Sequence, residues 1–271
     1  MRNKLLISLA LMAAPTFGAA GPFDDLASIE VLQGWRTTDG SHIAGLRITL
    51  EEGLKTYWRA PGDGGIPPEF SFTGADNITG VTPHWPVPQV FRQNGLNSVG
   101  YIDSVVFPVT VLSDDPNGPL RISGTLNIGV CEEICIPVSL SFDELLPPEG
   151  SRDAAIIASM INRPMSQDEA NVGAVSCAIA PIDDGLALTA SIGLPATANA
   201  DFVVIEAGDA NVWVSEADVT RTSTGLSATV DMVHSSGNSF ALNRSDVRIT
   251  VLGGGQAIDI QGCTAGYALL R

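Results

Sequence analysis

"RISGTLNIGVCEEICIPVSLSF" occupies residues 121–142 and predicts two β-strands joined by a tight turn. Apolar and polar residues alternate on both sides of the cysteines, which is the period of a strand with one buried face. Three residues separate Cys131 from Cys135, a spacing that matches neither the Cys-x-x-Cys of thioredoxin-like redox proteins nor most zinc knuckles. The pair could therefore be a structural bridge, a metal site or a disulfide that is broken and remade.

The same period-two alternation recurs along the rest of the chain, between clusters of Gly, Pro, Asn and Asp. Strands at this spacing, joined by turn residues and not by long helices, predict β-sandwiches. Examples are HIAGLRITL (42–50), SVVFPVTVL (104–112), LALTASIGL (186–194) and GLSATVDMV (225–233).

One segment breaks the strand pattern. SRDAAIIASMINR (151–163) predicts a helix, with Ser151 as its N-cap and Pro164 ending it. We therefore expect an all-β protein in which two sandwich domains are joined by a short helical connector. The expected bounds are a signal peptide at 1–20, a first sandwich at 21–147, a linker at 148–170 and a second sandwich at 171–271.

The first twenty residues have the layout of a secretory signal peptide. Arg2 and Lys4 form a basic start, residues 5–17 are apolar, and residues 18–20 are small at the expected cleavage site. The apolar run is too short to favour a membrane anchor, and no other run of about 18 apolar residues follows. We expect an exported protein with no membrane span.

Net charge narrows the range of partners. The formal charge of the chain is −16, and removal of the signal peptide with Arg2 and Lys4 lowers it by two, to −18. A chain this acidic repels phosphate backbones and anionic lipid, so nucleic acid and membrane surfaces are poor partner candidates.

The four cysteines are predicted to form two disulfides, as an even number in an exported protein indicates. Three pairings are possible, and the domain division favours Cys131–Cys135 and Cys177–Cys263. A Cys177–Cys263 bridge closes a loop of roughly 87 residues and stabilises by about 4.6 kcal/mol, whereas a five-residue loop gives about 2 kcal/mol. Residues i and i+4 of a strand lie about 13 Å apart, so a Cys131–Cys135 bridge requires a bend at the end of a sheet.

A disulfide at such a bend closes a small ring and is accessible to solvent. Disulfides of this kind exchange readily with a partner thiol. Glu132 and Glu133 place negative charge beside the thiols, which disfavours the thiolates and favours a matched partner. Two thiolates could also bind Cu(I), but His42, His84 and His234 show no ligand spacing. We predict no metal and no cofactor.

A second dense stretch, KTYWRAPGDGGIPPEFSF (55–72), places aromatics beside a turn rich in Pro and Gly. Such a loop can cover a reactive site or can simply pack on a sandwich. No arrangement of serine, histidine and acid indicates hydrolysis, and no glycine-rich loop between strand and helix indicates phosphate binding.

Three motifs in order, TYWRAPGDGGIPPEF (56–70), VGYIDSVVFPV (99–109) and GVCEEICIPVSL (129–140), resemble the N-terminal periplasmic domain of DsbD-type thiol:disulfide interchange proteins. The resemblance is greatest to the ScsB-like branch, which is related to suppression of copper sensitivity. It implies immunoglobulin-like sandwiches in the periplasm. It also implies that Cys131 and Cys135 take electrons from a thioredoxin-like or membrane thiol:disulfide oxidoreductase and pass them to oxidised periplasmic proteins.

The chain departs from this family in two ways. The best-known members separate their cysteines by five residues and not three, so the residues around the pair are proposed only as neighbours. Full-length members also continue into a membrane bundle and a thioredoxin-like domain, so we expect a standalone form. The alternatives are a non-enzymatic binding module, for Cu(I) or a redox partner, and a purely structural domain. The proposed neighbours are Tyr57, Trp58, Asp63, Glu69, Phe70 and Tyr101.

Overall fold

A computed structural model describes residues 26–266, apart from 63, 74–76, 94, 116 and 195–201. The predicted signal peptide and Asp63 therefore lie outside the described residues. The fold is all-β, with two immunoglobulin-like sandwiches and a short helical connector, as the sequence predicts. No helix in the described part of the chain is long and apolar enough to cross a membrane.

The first sandwich contains two antiparallel sheets. One has the strand order β1-β2-β8-β5, and the other has the order β10-β9-β3-β7-β6, with β4 also paired to β9. The strands are β1 (Ala27–Arg36), β2 (His42–Leu50), β3 (Lys55–Tyr57), β4 (Glu69–Phe72), β5 (Gly80–Pro83), β6 (Gln89–Gln93), β7 (Leu96–Ile102), β8 (Ser104–Leu112), β9 (Leu120–Cys131) and β10 (Cys135–Leu146).

The second sandwich has the sheets β11-β19-β18-β14 and β15-β17-β13-β12-β20, with β16 paired to β17. The pairs β11–β19 and β12–β20 are parallel, and the other pairs are antiparallel. The strands are β11 (Met165–Ser166), β12 (Val175–Ile182), β13 (Gly185–Gly193), β14 (Phe202–Glu206), β15 (Val212–Val214), β16 (Asp218–Thr222), β17 (Gly225–His234), β18 (Arg248–Gly253), β19 (Gln256–Gln261) and β20 (Thr264–Ala265).

Strand β9 illustrates how alternation builds the core. Its outward residues Arg121 and Asn127 are exposed, while every second side chain points into the sandwich. Burial of each large aliphatic side chain contributes about 1.5–3 kcal/mol. The inward side chains of β9, at most 2% exposed, are Leu120, Ile122, Leu126 and Ile128.

The connector contains helix α1 (Ala154–Ile161), which is shorter than the sequence predicts. Its N-cap is Asp153 and not Ser151, because the Asp153 carboxylate accepts hydrogen bonds from the backbone N–H groups of Ala155 and Ile156. Ile156 is fully buried against the first sandwich. Gly45 of β2 makes room for it, since a Cβ there would lie 2.8 Å from Ile156 Cγ1.

The two sandwiches share an apolar contact. Leu252 and Ala257, from β18 and β19, are buried within the core cluster of the first sandwich. Phe202 and Val204 of β14 pack against the same cluster. The second sandwich thus lies against the first along its β14-β18-β19 sheet, and this contact positions β14 near the segment that follows β3.

Candidate functional site

The candidate site lies at the tip of the β9–β10 hairpin. The two strands pair in continuous register from Leu120–Leu146 to Cys131–Cys135, so the cysteines are directly opposite each other. They form a disulfide with Cα atoms 4.2 Å apart, and Glu132–Ile134 make the turn. The tight bend that the sequence predicts is confirmed.

The two cysteines differ in their access to solvent. Cys131 is only 5% exposed, whereas Cys135 is exposed, as are Glu132 and Glu133. Ile134 at the tip is 77% exposed. An incoming group can therefore approach the disulfide from the Cys135 side.

Tyr57 brings a hydroxyl to the disulfide. Its Oη lies 3.0 Å from Cys135 Sγ and 3.1 Å from Cys131 Sγ. Neither sulfur of a disulfide carries a hydrogen, so the donor in these contacts is the tyrosine hydroxyl, whose single hydrogen serves one acceptor at a time. The position follows from sheet pairing, because β3 pairs beside the end of β9, with Lys55 opposite Cys131.

Burial raises the pKa of the Tyr57 phenol above its ordinary value of 10.0. The hydroxyl therefore remains protonated throughout the range in which cysteine thiols titrate. It is able to donate a hydrogen bond to a thiolate that forms when the disulfide is broken.

The described residues of the segment after Arg59, 60–62 and 64–67, which we term the cover loop, pack against Tyr57. The Tyr57 hydroxyl lies 3.3 Å from the carbonyl oxygen of Gly64. A Cβ at Gly65 would lie 2.9 Å from Tyr57 Cδ1, and one at Gly129 would lie 3.0 Å from Ile66 Cβ. The cover loop thus lies over the tyrosine and over strand β9, two residues before Cys131.

The other proposed neighbours occupy different positions. Trp58 is fully buried, and Tyr101 is buried and donates a hydrogen bond to the carbonyl oxygen of Pro86, 2.9 Å away. Phe70 packs against the rings of other core aromatics, and Glu69 is exposed on β4. Among the proposed neighbours that the structure describes, it is Tyr57 that contacts the sulfurs.

Three residues of the site were not singled out from sequence: Ile66, Gly129 and Arg59. Gly129 carried a usable signal, because glycine inside a strand often marks a close approach by another segment. Arg59, which immediately precedes the cover loop, forms an ion pair with Glu206 of the second sandwich. Glu206 lies far from Arg59 in sequence, so no local sequence pattern predicts the contact.

The second disulfide, Cys177–Cys263, lies inside the second sandwich. Its Cα atoms are 5.7 Å apart, and it joins residues 86 positions apart. Cys177 is fully buried and Cys263 is half-buried. The pairing that the domain division favours is therefore present in the structure.

The histidines make ordinary hydrogen bonds. His42 Nε2 lies 2.6 Å from the carbonyl oxygen of Gln33, and His84 Nε2 lies 2.7 Å from Thr110 Oγ1. The described residues contain no group of three or more His, Cys, Asp or Glu side chains that could hold a metal ion.

The family model for the N-terminal domain of the thiol:disulfide interchange protein DsbD matches residues 29–147. The N-terminal periplasmic domain of ScsB from Proteus mirabilis is similar in structure, with a TM-score of 0.68 and 23% sequence identity. That alignment covers 92% of this chain and 97% of the ScsB domain. A search of curated proteins gives no match. Residues 29–147, which form the first sandwich, are thus similar in sequence to the N-terminal domain of DsbD, and the whole chain is similar in fold to the ScsB domain.

Proposed function

We propose that the first sandwich exchanges its Cys131–Cys135 disulfide with protein thiols in the periplasm. It would carry electrons between a thioredoxin-like or membrane oxidoreductase and oxidised client proteins. The observation that carries the proposal is a disulfide with one exposed sulfur and a tyrosine hydroxyl within 3.1 Å of both. The match of the first sandwich to the DsbD N-terminal family model and the similar fold of the periplasmic ScsB domain support it.

The difference in exposure between the two cysteines supports a first step at Cys135. A donor thiolate attacks Cys135 Sγ and forms a mixed disulfide, the Cys131–Cys135 bond breaks, and Cys131 leaves with the electron pair. Tyr57 donates a hydrogen bond to this thiolate, which makes Cys131 a better leaving group. The donor's second thiolate then attacks the donor sulfur of the mixed disulfide and releases Cys135. The donor is oxidised and the sandwich is reduced by two electrons.

Delivery of electrons reverses these steps. The Cys135 thiolate attacks a client disulfide, and one client sulfur leaves as a thiolate. Cys131 then attacks Cys135 Sγ, which releases the second client thiolate and restores the disulfide. Glu132 and Glu133 at the turn disfavour free thiolates, so a partner with compensating positive charge is expected to react faster than an acidic one.

The reduction potential of Cys131–Cys135 tests the function. We expect a value near about −200 mV, in the range that exchanges with periplasmic partners. A potential well below about −300 mV is typical of inert structural disulfides and would rule the proposal out. The measurement needs thiol mapping by mass spectrometry, so that the Cys177–Cys263 pair is followed separately.

Trapping tests the order of attack. In a Cys131→Ser variant, Cys135 remains free to form a mixed disulfide that cannot be resolved from within the sandwich. We expect this variant to accumulate covalent complexes with periplasmic oxidoreductases. The matched Cys135→Ser variant should accumulate far fewer, because Cys131 is buried. Equal trapping by the two variants would contradict the assignment of Cys135.

A further inference from the structure

The outer edge of β10 is unpaired beside the exposed cysteine. In the described part of the chain, β10 ends its sheet, with β9 on one side and no strand on the other. Its first residues, 135–139, which we term the β10 edge, have the uncharged sequence CIPVS, and Cys135, Pro137 and Ser139 are exposed. A free strand edge can pair with another chain, so proteins usually protect it with charged side chains, a proline or a covering segment. Within 135–139, Pro137 is the residue of a protective kind.

The hairpin register shows which backbone groups the β10 edge presents. The backbone N–H of Glu132 donates to the carbonyl oxygen of Ile134 at 3.4 Å, just beyond the cysteine pair. Hydrogen-bonded and non-hydrogen-bonded pairs alternate along an antiparallel ladder, so Cys131 and Cys135 form a non-hydrogen-bonded pair. Their Cα separation of 4.2 Å agrees, because such pairs lie about 4.5 Å apart and hydrogen-bonded pairs about 5.5 Å. The N–H and C=O of Cys135 therefore point away from β9.

The same alternation applies to Pro137 and Ser139. They lie opposite Gly129 and Asn127 of β9, so they too are in non-hydrogen-bonded pairs. Pro137 has no N–H, and at this position the pairing with β9 requires none. The β10 edge thus directs outward the N–H and C=O of Cys135, the C=O of Pro137, and the N–H and C=O of Ser139.

The spacing at this edge suits a mixed disulfide. An antiparallel strand that bonds to the outward groups of Cys135 places a residue opposite it in a hydrogen-bonded pair, with Cα atoms about 5.5 Å apart. Disulfides have Cα separations of about 4.4–6.8 Å, so a cysteine there can join Cys135 while its own backbone stays paired. Alternate residues of the added strand lie opposite Ile136 and Val138, which are half-buried and offer apolar surface.

We propose that the β10 edge binds an extended segment of the thiol partner, which adds to the sheet as an antiparallel strand and places its reactive cysteine opposite Cys135. Backbone hydrogen bonds supply affinity, and apolar side chains opposite Ile136 and Val138 supply preference. The segment carries the cysteine because the first residue of the edge is the exposed half of the disulfide. This inference rests on the proposed exchange function and names the part of the partner that is recognised.

Synthetic peptides test the β10 edge in a Cys131→Ser variant of the whole chain, which leaves Cys135 as a free thiol. Each peptide has eight residues, with cysteine sixth, valine third and fifth, and two lysines at the end that lies beside the acidic turn. The peptide cysteine is linked by a disulfide to thionitrobenzoate. The Cys135 thiolate attacks the peptide sulfur and bonds to it, and coloured thionitrobenzoate leaves with the electron pair. Its absorbance gives the rate constant.

Two N-methylated peptides form a matched pair. When the sixth residue lies opposite Cys135, the N–H groups of the second and fourth residues point at the β10 edge, and those of the third and fifth point away. Methylating the second and fourth removes two hydrogen bonds and should slow the reaction about tenfold or more. Methylating the third and fifth should leave the rate of the unmodified peptide. Equal rates for the two methylated peptides would overturn the proposal.

Two substitutions test the protein side of the same contact. Ser139→Pro removes the outward N–H without removing a hydrogen bond to β9, and should slow the unmodified peptide about fivefold. Ser139→Ala keeps the N–H and should not change the rate. Both should react at the parent rate with thionitrobenzoate-linked N-acetylcysteine, which has no strand to add. A parent rate with the peptide, or equal slowing with N-acetylcysteine, would contradict docking at Ser139. If Ser139→Pro does not fold, the N-methylated pair decides.

Hydrogen exchange followed by nuclear magnetic resonance locates the added strand. In the adduct with the unmodified peptide, the Ser139 amide should exchange at least about tenfold more slowly than in the free chain. The Val138 amide faces β9 and should be protected in both states. The adduct with the peptide methylated at its second and fourth residues should leave Ser139 unprotected. Protection of Ser139 before any peptide is added would show that a strand already occupies the edge, such as β10 of a second copy, and would overturn the proposal.

Failure of this docking and failure of the proposed function give different results. If Cys131–Cys135 has the reduction potential of an exchanging disulfide but the two methylated peptides react alike, only docking at the β10 edge is excluded. If the disulfide has the potential of an inert structural bridge, the exchange function is excluded whatever the peptides do with Cys135.

Discussion

The two disulfides of this protein differ in almost every physical property. Cys177–Cys263 joins residues 86 positions apart, and Cys177 is fully buried. Cys131–Cys135 joins residues four positions apart, at a hairpin tip where Cys135 is exposed. The first can restrict the unfolded chain strongly, and the second can be reached by a partner. The contrast teaches that loop length and exposure together separate a stabilising bridge from an exchangeable one.

The largest expected effect is on stability. Replacing Cys177 and Cys263 with alanine should lower the free energy of unfolding by about 4.6 kcal/mol, because the unfolded chain regains the entropy of a long loop. The same change at Cys131 and Cys135 should cost only about 2 kcal/mol. Urea unfolding of the oxidised proteins measures both losses of unfolding free energy. Equal losses would contradict the expected difference between the two disulfides.

The next effect concerns Tyr57. In a Tyr57→Phe variant the thiolate of Cys131 loses a hydrogen bond, and such bonds to charged groups contribute about 1.5–3 kcal/mol. We expect exchange to slow by about tenfold or more and the pKa of the Cys131 thiol to rise. Rate constants and thiolate absorbance measure these changes.

Tyr101→Phe is the matched control for this variant. It removes a buried tyrosine hydroxyl whose hydrogen bond goes to the carbonyl oxygen of Pro86 and not to sulfur. Its exchange rate and thiol pKa should equal those of the wild type. A slowing equal to that of Tyr57→Phe would mean that the effect arises from core packing.

Selective reduction is the third expectation. Limiting dithiothreitol should reduce Cys131–Cys135 roughly tenfold faster than Cys177–Cys263, because access governs attack on a disulfide. Alkylation followed by mass spectrometry identifies the thiols that appear first. Simultaneous release of all four thiols would show that the two disulfides do not differ in reactivity in the folded protein.

The smallest effect is a pH dependence that neither disulfide explains. Burial lowers the pKa of His42 below its ordinary value of 6.5, because protonation would add an N–H at the buried, unpartnered Nδ1. The unfolded chain therefore binds more protons than the folded one between the folded pKa and 6.5. Stability should fall as the pH drops from 6.5 through the folded pKa.

Comparing wild type with His42→Gln checks this expectation. Urea unfolding between pH 7 and about pH 5.5 should show a shallower pH slope in the variant. The slope that remains should come partly from His84, whose pKa is also lowered by burial. An identical slope in the two proteins would exclude His42 as its source.

Sequence was sufficient for the fold class and for the hairpin. Alternation on both sides of Cys131 and Cys135 predicted two strands, and disulfide geometry required the bend between them. The pairing of Cys177 with Cys263 followed from the position of the connector. These features are local in sequence or depend on simple chain geometry, so they could be predicted without tertiary contacts.

The surroundings of the disulfide could not be predicted in the same way. Tyr57 reaches the sulfurs because β3 pairs beside the end of β9, and the sequence does not specify that order of strands. The Arg59–Glu206 contact joins residues 147 positions apart, across the interface of two sandwiches. The N-cap of helix α1 is Asp153 and not the predicted Ser151, because several nearby polar residues could serve as the cap.

The register of the β9–β10 hairpin has a further consequence for the proposed disulfide exchange. Eleven of its twelve paired positions lie beyond the cysteines and continue to Leu120–Leu146. Breaking the sulfur–sulfur bond therefore leaves both thiols opposite each other, because the pairing of β9 with β10 holds the two strands together. The hairpin therefore needs little rearrangement when the pair is reduced or oxidised. It can react with a second partner as soon as the first partner dissociates.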